Sequence, residues 1–214
     1  MEAFSSVLDG KEVRLAQVLA GFVLALWVLV PIHEVFHVLG CVLSGGQVTR
    51  LEISPLFGGA LFARFVPWIV SGGDNAGRLS GFVPAGDLSY LSTVLAPHVI
   101  LCPLGSAVAR MAVRRRRAWL FGAALAGALQ PLASITGDAY EAASIPITRL
   151  ADLGGGHWAL QLRGDDVIAI AHEAARVGTP MAWVLFAAGC LGGAVGSAIL
   201  LIACGGIAPA VRPD

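Results

Sequence analysis

One apolar stretch decides what kind of protein this chain is: residues 15–44 read LAQVLAGFVLALWVLVPIHEVFHVLGCVLS. The stretch is longer than the roughly 20 apolar residues that an α-helix needs to cross a bilayer. Its one charged residue, Glu34, lies between His33 and His37. A carboxylate and two imidazoles inside a membrane span are costly to bury and are usually functional. The stretch therefore predicts a membrane protein with a polar site inside its first span.

The composition of the whole chain agrees with this prediction. Of the 214 residues, 57% are hydrophobic and 13% are charged, and the mean hydropathy is +0.78. A soluble domain has about 45–50% apolar and about 25% charged residues. The formal net charge is zero, so charge gives no attraction for nucleic acid. Composition argues against a soluble single-core enzyme, a disordered chain and a nucleic-acid-binding protein, and predicts that the chain's surroundings are a lipid bilayer.

Four apolar runs organise the chain into a single membrane-embedded domain over residues 1–214. We expect an all-α polytopic membrane protein whose spans cover about 15–44, 88–110, 118–136 and 178–208. The segment 46–68 has two β-like runs, Val48–Ser54 and Ala60–Val66, and predicts a small membrane-associated β-hairpin between the first two spans. The polar loop 138–177 is expected to hold a short amphipathic helix that Asp165 caps.

Arginine distribution predicts the orientation of these spans. The quartet Arg114–Arg117 lies in a very short loop between the second and third predicted spans, and short cytoplasmic loops carry an excess of Lys and Arg. We therefore expect the quartet and the N-terminus on the inner side of a multi-pass protein of the bacterial cytoplasmic membrane. This orientation places the His33 end of the first span toward the outside.

The pentapeptide His33-Glu34-Val35-Phe36-His37 is the motif that carries chemistry. Residues i and i+4 lie on one face of a helix, so the two imidazoles can bind one zinc ion. Zinc lowers the pKa of a bound water to about 7. The neighbouring Glu34 can then act as general base when that water attacks a carbonyl carbon. A His–Glu cluster that packs helices together without metal is the alternative.

A catalytic zinc usually has three protein ligands and one position for water. Asp138, which directly follows the third predicted span, is the favoured third ligand. Glu141, one helical turn later, and His98, within the second span, remain alternatives. Tyr140, beside Asp138, is a candidate for orienting a ligand.

Together these residues resemble the site-2 protease family, the intramembrane zinc metalloproteases also called peptidase family M50. Cys41 and Gly45 follow the HExxH motif at the family's small-residue positions. The segment Ser54-Pro55-Leu56-Phe57-Gly58-Gly59 is similar to the Pro- and Gly-containing hairpin region of the family. Gln130-Pro131 precedes Gly137-Asp138 where the family brings its aspartate ligand, although the family's aspartate usually precedes a glycine.

The resemblance covers roughly residues 31–141 and implies a minimal four-helix member. It implies one Zn²⁺ per chain and a substrate that is a membrane helix of another protein. Ser54, Pro55, Gly58 and Gly59 would lie in its substrate-binding region. It also implies an active site that faces the cytoplasm, which disagrees with the charge distribution.

Two other functions remain open. The looser aspartate pattern is compatible with a non-proteolytic metal-binding or scaffolding relative, and a zinc-dependent hydrolase of a lipid substrate is the third hypothesis. The glycines of the fourth span form small-xxx-small patterns that favour helix packing, with a homo-oligomer face as an alternative.

Overall fold

The computed structural model describes residues 12–73 and 75–204, and this part of the chain is mostly helical. In chain order the elements are α1 (Glu12–Leu43), β1 (Gln47–Ile53), a 3₁₀ turn (Pro55–Phe57), α2 (Gly59–Phe62), β2 (Ile69–Ser71), β3 (Gly77–Val83), α3 (Asp87–Arg114), α4 (Ala118–Ala128), α5 (Gln130–Ala133), α6 (Asp138–Asp152), α7 (Trp158–Leu162), α8 (Val167–Val177) and α9 (Pro180–Ala203).

Three of these helices are long and apolar enough to cross a membrane: Arg14–Leu43 within α1, the whole of α3, and α9. Much of their apolar surface points outward, as with Leu24, Leu191 and Ile199, which are all more than 60% exposed. Large apolar surfaces of this kind are expected to face lipid rather than water. The predicted spans 15–44, 88–110 and 178–208 correspond to these helices; residues 205–208, like Lys11 and Arg212, lie outside the described residues.

The structure corrects the predicted span 118–136. Helix α4 ends at Ala128, and α5 begins at Gln130 after a break in the helix at Leu129. An 11-residue helix is about 16 Å long, too short for a bilayer core of about 30 Å. In one continuous helix the Pro131 ring would clash with the Gly127 carbonyl, which explains the break.

The predicted β-hairpin is also corrected. Strand β1 forms as expected, but it pairs in parallel with β2 and antiparallel with β3, in the order β2-β1-β3. Residues 60–66 form helix α2 and a turn instead of a second strand. The reason is local: Gly58 adopts a φ of 86°, and the chain turns back at the end of β1. Ala63 and Val66 then pack against the buried side chains of Leu51 and Ile53.

The amphipathic helix of the polar loop is present as α8. Its N-cap is Asp166, whose side chain accepts hydrogen bonds from the backbone N–H groups of Ile168 and Ala169. The prediction that Asp165 is the cap is therefore wrong by one residue, and Asp165 instead pairs with Arg78 of β3 at 3.1 Å.

Glycines let the apolar helices approach each other closely. A Cβ on Gly21 of α1 would lie 2.0 Å from the Trp119 carbonyl oxygen, and one on Gly122 of α4 would lie 1.9 Å from the Val18 carbonyl oxygen. The contact is thus reciprocal. Without a hydrophobic driving force between helices in lipid, such close backbone packing is a main source of helix association.

The first prediction concerns this α1–α4 contact. Gly122→Leu should lower the free energy of unfolding by at least about 1–3 kcal/mol, because the new side chain meets backbone atoms that cannot move aside. The measurement is the unfolding midpoint of the purified protein in detergent micelles. Gly196→Leu is the matched control, since nothing lies within 4 Å of that position. Equal midpoints for the two variants would contradict the packing.

Candidate metal centre

The C-terminal part of α1 presents two imidazoles and a carboxylate to the interior. His33 and His37 lie one turn apart, and their Nε2 atoms are 3.0 Å apart. Glu34 and His37 are both only 8% exposed. One ligand atom from each of His33, Glu34 and His37 lies within 4.8 Å of the others, so this group can hold a metal ion.

Asp138 joins the two histidines from a distant part of the chain. It is the first residue of α6, and its Oδ2 lies 2.9 Å from His33 Nε2 and 3.5 Å from His37 Nε2. Helix α9 supports this position because Gly193 packs on the backbone of Ala139 and Tyr140. The aspartate that the sequence favours as third ligand is therefore next to both motif histidines.

The three atoms fit a tetrahedral metal site. With metal–ligand bonds of about 2.0–2.1 Å, two ligand atoms of a tetrahedral zinc lie about 3.3 Å apart. The separations among His33 Nε2, His37 Nε2 and Asp138 Oδ2 are 2.9, 3.0 and 3.5 Å. Two imidazole nitrogens and a carboxylate oxygen are also a donor set that zinc accepts. The residues present could therefore hold a tetrahedral metal ion, and zinc is one ion that this donor set accepts.

A backbone contact fixes the orientation of one histidine. His37 Nδ1 lies 2.8 Å from the carbonyl oxygen of Thr93 in α3 and donates a hydrogen bond to it. With a proton on Nδ1, the Nε2 atom of the neutral ring would have its lone pair on the side of His33 and Asp138. Metal-binding histidines usually have such a partner on their second nitrogen.

His98 is the fourth member of the cluster. Its Nε2 lies 3.0 Å from Asp138 Oδ2 and 3.2 Å from Ser134 Oγ, and the residue is 2% exposed. A buried imidazole that hydrogen-bonds to a metal-binding carboxylate holds that carboxylate in place. His98 is one of the two residues that the sequence offers as alternatives to Asp138 as third ligand. The structure places it in contact with Asp138 itself.

Glu141 lies away from this cluster, although it remains close enough to share its cavity. Its carboxylate accepts a hydrogen bond from the Tyr90 hydroxyl. Burial raises the pKa of the Glu141 carboxyl to about 7, against the opposing effect of that hydrogen bond. Near neutral pH the pair can therefore hold or release a proton at the cavity wall.

Tyr140 does not support the site. Its hydroxyl donates to the Leu162 carbonyl oxygen at 2.9 Å, and its ring packs on Gly189 of α9. The structure does not bring it to Asp138, because positions 138 and 140 are rotated by about 200° around a helix and so point to opposite sides. Tyr140 instead belongs to the packing between α6 and α9.

A cavity of about 950 Å³ opens beside the cluster. Glu34, His37, Asp138, Tyr90 and Glu141 line one part of it. The other walls come from β3 and from the loop before α8, including Gly77, Arg78, Leu79, Ser80, Phe82, Arg163, Gly164 and Asp165. The site is therefore enclosed in part by elements that no sequence motif associates with it.

The turn proposed for substrate binding is not part of this cavity. Ser54, Pro55, Gly58 and Gly59 are absent from its lining. They form a self-contained turn, in which Ser54 Oγ accepts from Leu56 N–H and the Ser54 carbonyl accepts from Gly59 N–H. The structure therefore does not bring these four residues to the cavity, and residues of β3 line it instead.

Gly77 of β3 is a site residue that sequence reasoning missed. A Cβ at this position would lie 2.5 Å from Glu34 Cγ and 2.9 Å from its Cδ. A glycine in a strand often marks a close approach by another group, but the sequence alone does not identify residues 77–83 as a strand, so this signal could not be recognised. Here the approaching group is the Glu34 side chain, which leaves no room for any side chain at position 77.

No family model matches the sequence, and neither a curated protein nor a solved structure is similar enough to it to count as a match.

The second prediction separates the role of His98 from that of the motif histidines. With cobalt(II) as the probe, His37→Gln should abolish binding. His98→Gln should still bind one ion per chain with an unchanged visible spectrum, although about 10–100-fold more weakly. His172→Gln is the control, because that histidine lies on α8, away from the cluster. A changed ligand-field spectrum in His98→Gln would contradict this and make His98 a direct ligand.

Proposed function

We propose that this chain is an intramembrane zinc metallopeptidase that hydrolyses peptide bonds in or near membrane helices of other proteins. One observation carries the proposal: His33 Nε2, His37 Nε2 and Asp138 Oδ2 lie within 3.5 Å of one another beside the buried Glu34. The resemblance of this region to the site-2 proteases supports the same function. We also propose that the chain is a multi-pass protein of the bacterial cytoplasmic membrane and that the lipid bilayer surrounds its apolar helices.

His33, His37 and Asp138 would hold the zinc ion. Zinc bound there supplies a Lewis acid that polarises a peptide carbonyl and lowers the pKa of water. His37 is kept in the required tautomer by the Thr93 carbonyl, and Asp138 is kept in place by His98. These contacts fix the donor atoms before substrate arrives, so little reorganisation is needed during reaction.

Glu34 is the general base in this proposal. Within the described residues no Lys or Arg forms an ion pair with it, and Gly77 packs directly against its side chain. It accepts a proton from the attacking water and then donates a proton to the amine that leaves. A carboxylate placed in this way contributes about 10²–10⁴-fold to the rate.

The substrate segment must leave its helical form before cleavage, because an intact helix hides its peptide groups in internal hydrogen bonds. Strand β3 provides a partner for the unwound segment. It pairs with β1 along one edge only, and consecutive residues from Gly77 to Ser80 line the cavity. Since successive side chains alternate between faces, this pattern means that the edge of β3 borders the cavity. An extended segment can add there as a further strand.

A second candidate function follows from one specific contact. His98 Nε2 lies 3.0 Å from Asp138 Oδ2, so a modest shift would make it a fourth protein ligand. A site closed by four protein ligands is typical of structural zinc. In that case the chain would be a non-proteolytic metal-binding relative, and the cobalt spectrum of His98→Gln distinguishes the two functions.

The third prediction tests the peptidase function directly. Glu34→Gln should keep its zinc but cleave a membrane-helix reporter at least about 100-fold more slowly, because only the base is lost. Asp138→Asn should lose both zinc and cleavage. The measurements are metal content and reporter cleavage in detergent or vesicles, with Glu173→Gln as the control carboxylate on the exposed face of α8.

Three outcomes would overturn the proposal. Zinc with no turnover that depends on Glu34 would indicate the non-proteolytic relative. Release of a lipid product that depends on Glu34 would indicate a lipid hydrolase. Full zinc content in a His33→Ala, His37→Ala double variant would remove the metal site itself.

The fourth prediction uses the contact between β3 and the base. Gly77→Ala should displace the Glu34 side chain, so reporter cleavage should fall at least about tenfold while zinc content stays at one ion per chain. Gly86→Ala is the matched control: nothing lies within 4 Å of it, and its backbone is extended. Unchanged cleavage in Gly77→Ala would show that the position of Glu34 against β3 is not needed.

A further inference from the structure

We infer that the arginine pocket at the C-terminal end of α3 binds the phosphate of an anionic phospholipid headgroup. This pocket has a volume of about 340 Å³ and is lined by Ala107, Arg110, Met111, Arg114 and Arg115. Three of its five lining residues are arginines, and none is acidic. The inference is independent of the proposed peptidase activity.

The positive charge of the pocket has no acidic partner within the described part of the chain. Among those residues, no carboxylate forms an ion pair with Arg110, Arg114 or Arg115. Arg110 is half-buried, and its Nη1 donates to the Cys204 carbonyl oxygen at 3.0 Å. This bond anchors the guanidinium at the pocket wall and leaves its remaining N–H groups for a ligand.

Arginine suits this ligand better than any other cation in proteins. Its guanidinium carries five N–H donors in a planar fork that matches two phosphate oxygens at once. Three such groups around one small pocket repel each other unless an anion lies between them. A phosphate group is negatively charged and has several acceptor oxygens. It can therefore both offset the repulsion between the arginines and accept hydrogen bonds from their planar N–H groups.

The position on α3 indicates a lipid as the source of the phosphate. The pocket lies at the end of a helix long and apolar enough to cross a membrane, which is the level of the headgroups. Clusters of basic residues at the end of a membrane helix bind anionic lipid headgroups. Leu104 and Met111, 57% and 37% exposed, continue from the pocket toward the apolar part of α3. They lie seven residues apart, two turns along one face, and provide a surface for an acyl chain.

The fifth prediction compares two double variants that remove the same charge. Arg114→Gln/Arg115→Gln alters the pocket, whereas Arg116→Gln/Arg117→Gln alters the adjacent loop positions that do not line it. Phosphatidylglycerol is titrated into the full chain in neutral detergent, and bound lipid is counted by native mass spectrometry. The first variant should bind about tenfold or more weakly, since the fork contacts of two guanidinium groups are lost. The second should stay close to the unchanged protein.

Two further arms make the result decisive. Arg114→Lys/Arg115→Lys keeps the charge and removes the fork, so weaker binding supports a phosphate held by guanidinium groups. Inorganic phosphate should compete poorly, because it cannot use the Leu104–Met111 surface. Equal loss of lipid binding in both glutamine variants would show that diffuse charge of the loop, and not the pocket, binds the lipid. Effective competition by inorganic phosphate would show that the ligand is a free phosphate and not a lipid headgroup. The unfolding midpoint of each variant, which should match that of the unchanged protein, shows that a loss of binding is not a loss of fold.

Discussion

The carboxylate of Asp138, surrounded by imidazoles, is the interaction on which the rest of the site depends. Its Oδ2 contacts His33, His37 and His98, which come from α1 and α3, while Asp138 itself begins α6. A buried carboxylate without such partners costs several kcal/mol. The three helices are therefore held in one arrangement by polar groups that none of them could bury alone.

Small residues make that arrangement reachable. Gly189 and Gly193 let α9 approach the first turn of α6, where Asp138 lies, and Gly21 and Gly122 do the same between α1 and α4. In the described part of the chain the glycines of α9 thus serve a contact within one molecule, with Gly196 facing open space. Packing of this kind fixes the backbone, and the backbone fixes where the candidate metal-binding atoms meet.

The sequence was most informative where the structure is local, and least where it depends on non-local pairing. His33 and His37 need only a helix to bring them together, and Asp138 stood out because few acidic residues lie next to an apolar run. Strand β3, by contrast, contains two glycines and no regular alternation of apolar and polar residues, so nothing in its own sequence marks it as a strand. It forms because it pairs with β1 across a separation of some 30 residues. The break at Pro131 is a local signal, but the high apolar content of residues 118–136 concealed it.

The two proposed sites lie at opposite ends of one helix, and this constrains the orientation of the chain. Thr93 and Val94, in the second turn of α3, border the cavity beside the candidate metal-binding residues, and the arginine pocket begins at Ala107 in its last turns. At 1.5 Å per residue, Val94 and Arg110 are separated by about 24 Å along the axis, most of the thickness of a bilayer core. With α3 across the bilayer, as we propose, the cavity and the arginines would lie toward opposite leaflets. If the arginines bind headgroups of the cytoplasmic leaflet, the cavity lies toward the outer leaflet. A cavity that opens to the cytoplasm would instead require the arginines to lie at the outer surface, against the usual distribution of basic residues.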